Sequence, residues 1–211
     1  MTIDVFIDTI CPWCRMGTRS LLMALDKIPG GNEQVDVRWH AFQLNPGIQP
    51  DGESYREHMT RKLGGRERFE ARLKQYSEFG KNFGLHYNMD LVSLTPNTIL
   101  SHQLIALTPV DKQKQLIEEL FTAYFEKGIN IGDVDELVKI AKTSGAHEET
   151  ALRTMLSRGE GLDRIEDDQD YAERLGINGV PFYVFDEKYS LSGLHSPDDF
   201  VKVIQRFMEE Q

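Results

Sequence analysis

The first 41 residues show the hydrophobic patterns of a strand, a helix and a second strand in turn. Residues 3–8 form a short, largely apolar run that predicts a buried strand. Residues 11–28 place leucines on one helical face and stop at a Pro-Gly-Gly sequence, which predicts a helix. Residues 35–41 alternate apolar and polar side chains, as half-buried strands do. The beginning of the chain therefore predicts a βαβ unit.

The last fifty residues follow a different order. A helical pattern over residues 162–175 precedes two β-rich runs at 181–185 and 189–192, which are close enough in sequence to require an antiparallel hairpin. Ser196 and Pro197 then provide an N-cap and a first helical residue. Apolar side chains follow at the spacing of one helix face, so the end of the chain predicts an α-ββα arrangement.

The middle of the chain, from residue 47 to 157, is predominantly helical in pattern. Apolar side chains at helical spacing predict four helices, and glycines separate them. No fixed period recurs, so a repeat array is excluded. We therefore predict a discontinuous outer domain of residues 1–46 and 158–211, with an inserted helical domain of residues 47–157.

Charge and composition narrow the classes of partner. The 211 residues include 24 Lys and Arg against 34 Asp and Glu, for a net charge of −10. Such a balance disfavours nucleic acid and anionic membrane surfaces, both of which attract clustered cations. No run approaches the roughly 20 apolar residues of a membrane helix, and the first residues lack the features of a signal peptide. We expect a cytoplasmic monomer or homodimer.

Only two cysteines occur, both in the CPWC motif of residues 11–14. Two cysteines exclude a disulfide-rich scaffold and a complete Cys-rich zinc ribbon, and we expect no metal. A helix N-terminus favours a thiolate, so Cys11 is the candidate exposed nucleophile. Cys14, one turn further on, is placed to resolve a mixed disulfide. Half of a metal site and an inert buried pair are the alternatives.

Three features together resemble the DsbA family of thioredoxin-like proteins. They are the CxxC motif in an opening βαβ unit, the distant Val180-Pro181 pair and the helical insertion between them. Residues 8–14 with Gly17, and residues 42–46, 120–125 and 176–182, are similar to the FrnE-like branch of cytoplasmic dithiol oxidoreductases. The resemblance implies an α/β, thioredoxin-like fold with a large helical insertion.

The resemblance also implies roles at the predicted site. Pro181 would follow a cis peptide bond, although sequence alone predicts trans. Val180 would offer its backbone to a bound substrate, which is a protein or small molecule with a disulfide or thiol. No cofactor is implied, and glutathione is a candidate co-substrate. Pro12 and Trp13 would tune the dithiol, Pro12 by lacking an N–H and Trp13 as a half-exposed apolar platform, although packing alone also explains Trp13.

Other polar residues carry weaker hypotheses. Asn45 ends the second predicted strand on the side where βαβ ligand sites form. Asn97 and His102 stand at the start of a predicted helix and one turn into it. A turn, a helix cap and a packed histidine explain these three equally well. The acidic run 166–168 predicts a solvated helix face.

Two other functions compete with dithiol chemistry. Kappa-class glutathione transferases and hydroxychromene carboxylate isomerases resemble this insertion topology, but they typically carry serine at the first position of the motif. The second alternative is a non-enzymatic peptide-binding or chaperone module, whose apolar groove would use Met59, Phe69, Phe79 and Phe83. Core packing also explains those side chains.

Overall fold

The computed structural model describes residues 1–145 and 147–209 of a mixed α/β protein. The strands are β1 (Thr2–Ile7), β2 (Asp36–Ala41), β3 (Glu53–Ser54), β4 (Leu94–Thr95), β5 (Phe182–Phe185) and β6 (Tyr189–Ser192). The helices are α1 (Pro12–Lys27), α2 (Gly31–Gln34), α3 (Tyr55–Leu63), α4 (Arg66–Lys81), α5 (Ile99–Leu107), α6 (Val110–Lys127), α7 (Val134–Thr143), α8 (Glu149–Ser157), α9 (Leu162–Arg174) and α10 (Pro197–Glu209). The predicted fold class, with a βαβ start, a helical insertion and a ββα end, is confirmed.

The chain divides into two compact units. The first combines Met1–Leu44 with the described residues from Asp168 onward, and the second is Asn45–Asp167. The second unit therefore extends ten residues beyond the predicted end of the insertion at 157. The reason is that the first turn of α9 packs within this unit, where Ile165 is buried and Arg164 donates a hydrogen bond to the Ala106 carbonyl.

The first unit is built on a four-stranded sheet with the order β2-β1-β5-β6. Strands β1 and β2 are parallel, whereas β5 runs antiparallel to β1 and pairs Tyr183 with Val5. Strand β6 returns antiparallel to β5 across a tight turn. Asp186 and Glu187 adopt φ angles of 45° and 57° in that turn, which matches the primed turns of short hairpins.

Side chains alternate between the two faces of β5. Val184 packs with Phe6, Ala172 and Ile177 in one buried cluster. Tyr183 points to the opposite face, where its ring meets Phe200 of α10 edge-on at 4.8 Å between centroids. Helix α10 packs in turn against α1. Side chains thus pack on both faces of the sheet. Helix α1, which begins directly after Cys11, lies on the same face as Tyr183.

The second unit is helical, with a two-stranded pair formed by β3 and β4. Leu116, Leu120 and Phe121 of α6 are fully buried in it. The sequence pattern did not reveal α3, α8 or the β3–β4 pair, because these strands are two residues long and α3 buries only Tyr55. Among the described residues, no helix has the length and apolar character needed to cross a membrane.

A half-buried histidine links two carboxylates in the first unit. His40 Nε2 lies 2.8 Å from Asp4 Oδ1, and Nδ1 lies 2.5 Å from Asp168 Oδ1. Asp168 also accepts the Ala41 backbone N–H at 2.7 Å, so it is buried and the prediction of a fully solvated acidic face was wrong at this residue. Burial alone would lower the pKa of His40, but its hydrogen bonds to Asp168 and Asp4 outweigh burial and raise the pKa to about 9.

This cluster predicts a loss of stability at alkaline pH. A histidine whose pKa is raised on folding stabilises the protein fully below its ordinary pKa of 6.5, and the stabilisation disappears as the pH rises through about 9. The expected loss is on the order of 3 kcal/mol, since one pKa unit corresponds to about 1.4 kcal/mol. Urea unfolding of the reduced protein at several pH values from 6 to 10 measures it.

The matched control is His40→Gln, which cannot gain a proton in this range. The free energy of unfolding of the wild type should exceed that of the variant most at pH 6 and least at pH 10. Parallel stability curves for the two proteins would show that folding does not raise the pKa of His40.

Candidate functional site

Cys11 is the N-cap of helix α1. Its backbone is extended, with φ −92° and ψ 113°, and its Sγ accepts a hydrogen bond from the Cys14 backbone N–H at 3.4 Å. Pro12 occupies the first helical turn, where its missing N–H costs no hydrogen bond. The local sequence therefore presents the sulfur of Cys11 to the positive end of the helix dipole, which stabilises negative charge.

Both cysteines are free thiols, and both are buried. Cys11 is 3% exposed and Cys14 is fully buried, so the expectation of an exposed Cys11 was wrong. The sulfur of Cys11 is enclosed because it lies between the first turn of α1 and the Val180 carbonyl oxygen, to which it donates at 3.7 Å. Trp13 is half-buried, as the platform interpretation expects.

The loop before β5 supplies the other side of the site. The Val180–Pro181 peptide bond is cis, and the Pro181 carbonyl accepts the Gly193 N–H at 2.8 Å. Val180 packs against the buried cluster on the sheet. Folding thus brings Val180 to Cys11 across 169 residues of sequence.

Gly17 allows helix α1 to lie close to this loop. A Cβ added at Gly17 would lie 2.1 Å from the Tyr183 hydroxyl oxygen and 3.0 Å from Pro181 Cγ. No side chain larger than hydrogen fits there without displacement. Gly17 and Tyr183 are therefore site residues whose packing role the sequence analysis did not predict. The signal that could have indicated it was Gly17 itself, the single glycine within the α1 pattern.

Asp8 connects the site to the end of β2. Its carboxylate is fully buried and accepts the Leu44 backbone N–H at 2.8 Å, while its carbonyl accepts the Cys11 N–H at 3.0 Å. Burial raises the pKa of the Cys14 thiol well above its usual value, and the hydrogen bond and charge of Cys11 add to this effect. Asp8 acts in both directions, because its backbone hydrogen bond lowers the pKa of Cys14 and its charge raises it. Cys14 is therefore a protonated thiol at rest.

The weaker candidates all belong to the second unit. Asn45 Oδ1 accepts a hydrogen bond from Lys62 at 3.2 Å. Asn97 donates to the Ile48 carbonyl at 2.6 Å and accepts the Ile99 N–H at 2.9 Å, as expected of a residue that fixes the start of α5. His102 is 2% exposed within α5. These contacts fit the turn, cap and packing interpretations, and a substrate contact stays a prediction for each.

Within the described part of the chain, no three His, Cys, Asp or Glu side chains cluster as a metal site would require.

The fold and the buried dithiol together define a thioredoxin-like oxidoreductase with a helical insertion. The chain belongs to the DSBA-like thioredoxin domain family, a family of thiol–disulfide oxidoreductases, whose model matches residues 2–205. The predicted DsbA family is thereby confirmed, whereas the finer assignment to the FrnE-like branch stays a prediction.

Individual relatives agree with this assignment. The uncharacterized protein YwbO of Bacillus subtilis is 24% identical over 96% of this chain and 94% of its own. The probable DsbA oxidoreductase SCO1869 of Streptomyces coelicolor is 25% identical with a TM-score of 0.92, covering 100% of this chain and 91% of that one.

Two more distant structures share the fold alone. The cytosolic disulfide reductase DsbM of Pseudomonas aeruginosa, solved with GSH, is 17% identical with a TM-score of 0.70 over 99% of this chain and 100% of its own. A 2-hydroxychromene-2-carboxylate isomerase is 15% identical with a TM-score of 0.67, over 100% of this chain and 95% of its own.

The close packing at Gly17 predicts an unusual substitution effect. Gly17→Ala in an ordinary helix would stabilise by up to about 1 kcal/mol. Here the added methyl would overlap the Tyr183 hydroxyl, so we expect a loss of about 1–3 kcal/mol in the free energy of unfolding. Urea unfolding measures it.

The double variant Gly17→Ala with Tyr183→Phe separates the two contacts. Removal of the hydroxyl should restore part of the lost stability. The rest should not be restored, because the added methyl still lies too close to Pro181. A Gly17→Ala protein as stable as the wild type would contradict the observed packing.

Proposed function

We propose that this protein is a dithiol oxidoreductase in which Cys11 is the nucleophile and Cys14 the resolving cysteine. The observation that carries the proposal is the position of Cys11, whose Sγ accepts an α1 N-terminal amide at 3.4 Å and faces the Val180 carbonyl at 3.7 Å. The amide donates to the sulfur at the positive end of the helix dipole, and the carbonyl accepts the S–H of the resting thiol. Cys14 is three residues on, within reach of the same sulfur.

The proposed reduction proceeds by two thiol–disulfide exchanges. The Cys11 thiolate attacks one sulfur of a substrate disulfide, a Cys11–substrate bond forms, and the other substrate sulfur leaves as a thiolate and gains a proton from solvent. The Cys14 thiolate then attacks Cys11 Sγ and releases the second substrate thiolate. Two electrons pass to the substrate, and the Cys11–Cys14 disulfide remains. The same steps reversed would oxidise a dithiol substrate.

Val180 is the proposed backbone contact for substrate. In the resting thiol its carbonyl accepts the Cys11 S–H. When Cys11 ionises, that donor is lost, and the carbonyl becomes available to an N–H of an extended substrate. Pro181, the next residue, is buried, and its carbonyl accepts the Gly193 N–H. Pro12 and Trp13, both half-buried, complete the surface beside the dithiol.

Glutathione is the proposed small-molecule partner, and the cytoplasm the proposed compartment. Both cysteines of the chain belong to the reactive pair, so none remains for a structural disulfide. DsbM, described as a cytosolic disulfide reductase and solved with GSH, shares this fold. In a reducing compartment the Cys11–Cys14 pair would be mostly a dithiol, and glutathione could regenerate it after each turnover.

Single-cysteine variants test the assigned roles. Cys14→Ser mixed with a disulfide-containing peptide should accumulate a mixed disulfide at Cys11, because no second thiol resolves it. Cys11→Ser should form an adduct at least about tenfold more slowly, since each unit of pKa elevation at Cys14 removes about nine-tenths of its thiolate at neutral pH. Intact mass spectrometry after acid quenching measures both.

The Cys11→Ser, Cys14→Ser double variant is the matched control for non-covalent binding. Insulin reduction should be lost in each single variant while their unfolding midpoints stay close to that of the wild type. Retained reduction by Cys11→Ser, or adducts that form preferentially at Cys14, would contradict the assignment.

The second candidate is a glutathione-dependent isomerase or transferase. The shared fold of the 2-hydroxychromene-2-carboxylate isomerase favours it. Against it, this chain has cysteine at both positions of the motif, and a second thiol one turn away would resolve a glutathione adduct. Glutathione conjugation or isomerisation at undiminished rate in Cys14→Ser would favour this function over dithiol exchange.

The non-enzymatic chaperone has less support. Phe69 and Phe83 are buried in the second unit, and among the four residues of the suggested groove only Phe79 is largely exposed, at 42%. These positions therefore serve the core of the unit more than an open groove. Aggregation suppression that is unaffected by both cysteine substitutions would be its signature.

A further inference from the structure

Tyr183 carries a buried hydroxyl with no hydrogen-bond partner among the described residues. The side chain is 0% exposed and lies on the face of β5 that α1 covers. Its ring is held by Phe200, and its hydroxyl occupies the space that Gly17 leaves open. The hydroxyl is thus aimed at α1, the helix that begins at the dithiol.

An unpaired buried hydroxyl is costly, at about 1–3 kcal/mol. Phenylalanine would fill the same ring position without that cost, so packing does not explain the oxygen atom. The hydroxyl lies against α1 at Gly17, which is one turn beyond Cys14 on the same helix. Burial, and then the charges of Cys14 and Cys11, raise the pKa of Tyr183 well above its usual value. Tyr183 is therefore a neutral donor beside the helix whose first turn carries both sulfurs.

A hydrogen-bond donor near Cys14 would help this thiol to ionise. It must become a thiolate to attack Cys11, yet burial, then the hydrogen bond and charge of Cys11, raise its pKa well above the usual value. A backbone hydrogen bond with Asp8 opposes this rise without cancelling it. The α1 amide nearest the pair does not help, because the Cys14 N–H donates to Sγ of Cys11. The helix N-terminus thus serves the nucleophile, while the resolving sulfur lies in a buried environment that opposes its ionisation.

We propose that the Tyr183 hydroxyl donates a hydrogen bond to Sγ of Cys14 whenever that sulfur carries negative charge. Its part in turnover rests on the dithiol function proposed above. In the resolving step the hydrogen bond stabilises the thiolate that attacks Cys11, and the electron pair of the cleaved bond leaves on the substrate sulfur. In the oxidising direction it stabilises Cys14 as the leaving thiolate. The tyrosine retains its proton throughout.

The proposal also accounts for Gly17. A methyl at this position would overlap the hydroxyl at 2.1 Å and displace it from its place beside the helix. Gly17, three residues beyond Cys14 on the same face of α1, therefore keeps open the space from which Tyr183 reaches the sulfur. The same glycine admits Pro181, so one position serves both the substrate loop and the resolving cysteine.

The direct test measures ionisation of Cys14 without any need for activity. In Cys11→Ser, Cys14 is the only thiol, and carbon NMR of isotopically labelled cysteine follows its titration. Addition of Tyr183→Phe should raise the titration midpoint by about one to two pH units, as expected for loss of a hydrogen bond to a charged group. The free energy of unfolding should not fall, because the removed hydroxyl has no hydrogen-bond partner within residues 1–145 and 147–209.

Tyr55→Phe in the same background is the matched control, since it changes another buried tyrosine, in the second unit. It should leave the Cys14 midpoint unchanged. An unchanged or lower midpoint in Tyr183→Phe would overturn the proposal.

A second measurement separates this proposal from the dithiol function. With both cysteines present, Tyr183→Phe should form the Cys11 mixed disulfide at the wild-type rate and resolve it about tenfold more slowly near neutral pH, with recovery at higher pH. If the midpoint shifts but neither protein exchanges disulfides, the hydrogen bond stands and the proposed function fails. If Tyr183→Phe and the wild type resolve the mixed disulfide at equal rates and with the same pH profile, Tyr183 has no part in the reaction.

Discussion

The close approach of helix α1 to the strand β5 hairpin at Gly17 determines where the groups of the dithiol site lie. Helix α1 fixes both sulfurs, and the residues leading into β5 fix the Val180 carbonyl and Pro181. Because Gly17 has no side chain, Pro181 and the Tyr183 hydroxyl both reach the helix surface. A bulkier residue would separate the loop from the helix and lengthen the 3.7 Å contact between Cys11 and Val180.

This geometry places the two sulfurs in unlike environments. Cys11 receives the amide at the start of α1, so its negative charge is stabilised by the backbone. Cys14 lies one turn deeper, where burial and neighbouring charges keep it protonated. An exchange reaction needs this asymmetry, because the attacking thiol must ionise first and the resolving thiol only after the mixed disulfide forms. The remaining requirement is a means to ionise a buried thiol, and the Tyr183 hydroxyl has the position to supply it.

The sequence predicted those parts of the site that depend on local order. A strand, a CxxC motif and a helix with Pro12 at its first turn are adjacent in the chain, so their arrangement follows from the pattern. The burial of Cys11 and the charge cluster of His40 with Asp168 depend on residues more than 120 positions apart, and no periodicity reports such contacts. The sequence did not predict a role for Tyr183 for a related reason. A strand pattern shows it as one more buried aromatic residue, whereas the structure shows that its hydroxyl has no hydrogen-bond partner among the residues described.

Equilibrium titration of the Cys11–Cys14 pair in glutathione buffers of graded redox potential shows whether the two cysteines act as one dithiol, with alkylation and intact mass as the readout. We expect a single two-electron transition, in which both cysteines become alkylated or protected together and a tenfold change in the equilibrium spans about 30 mV. Cysteines that stay free thiols across the whole range, or that form a lasting glutathione adduct at one position only, would contradict it.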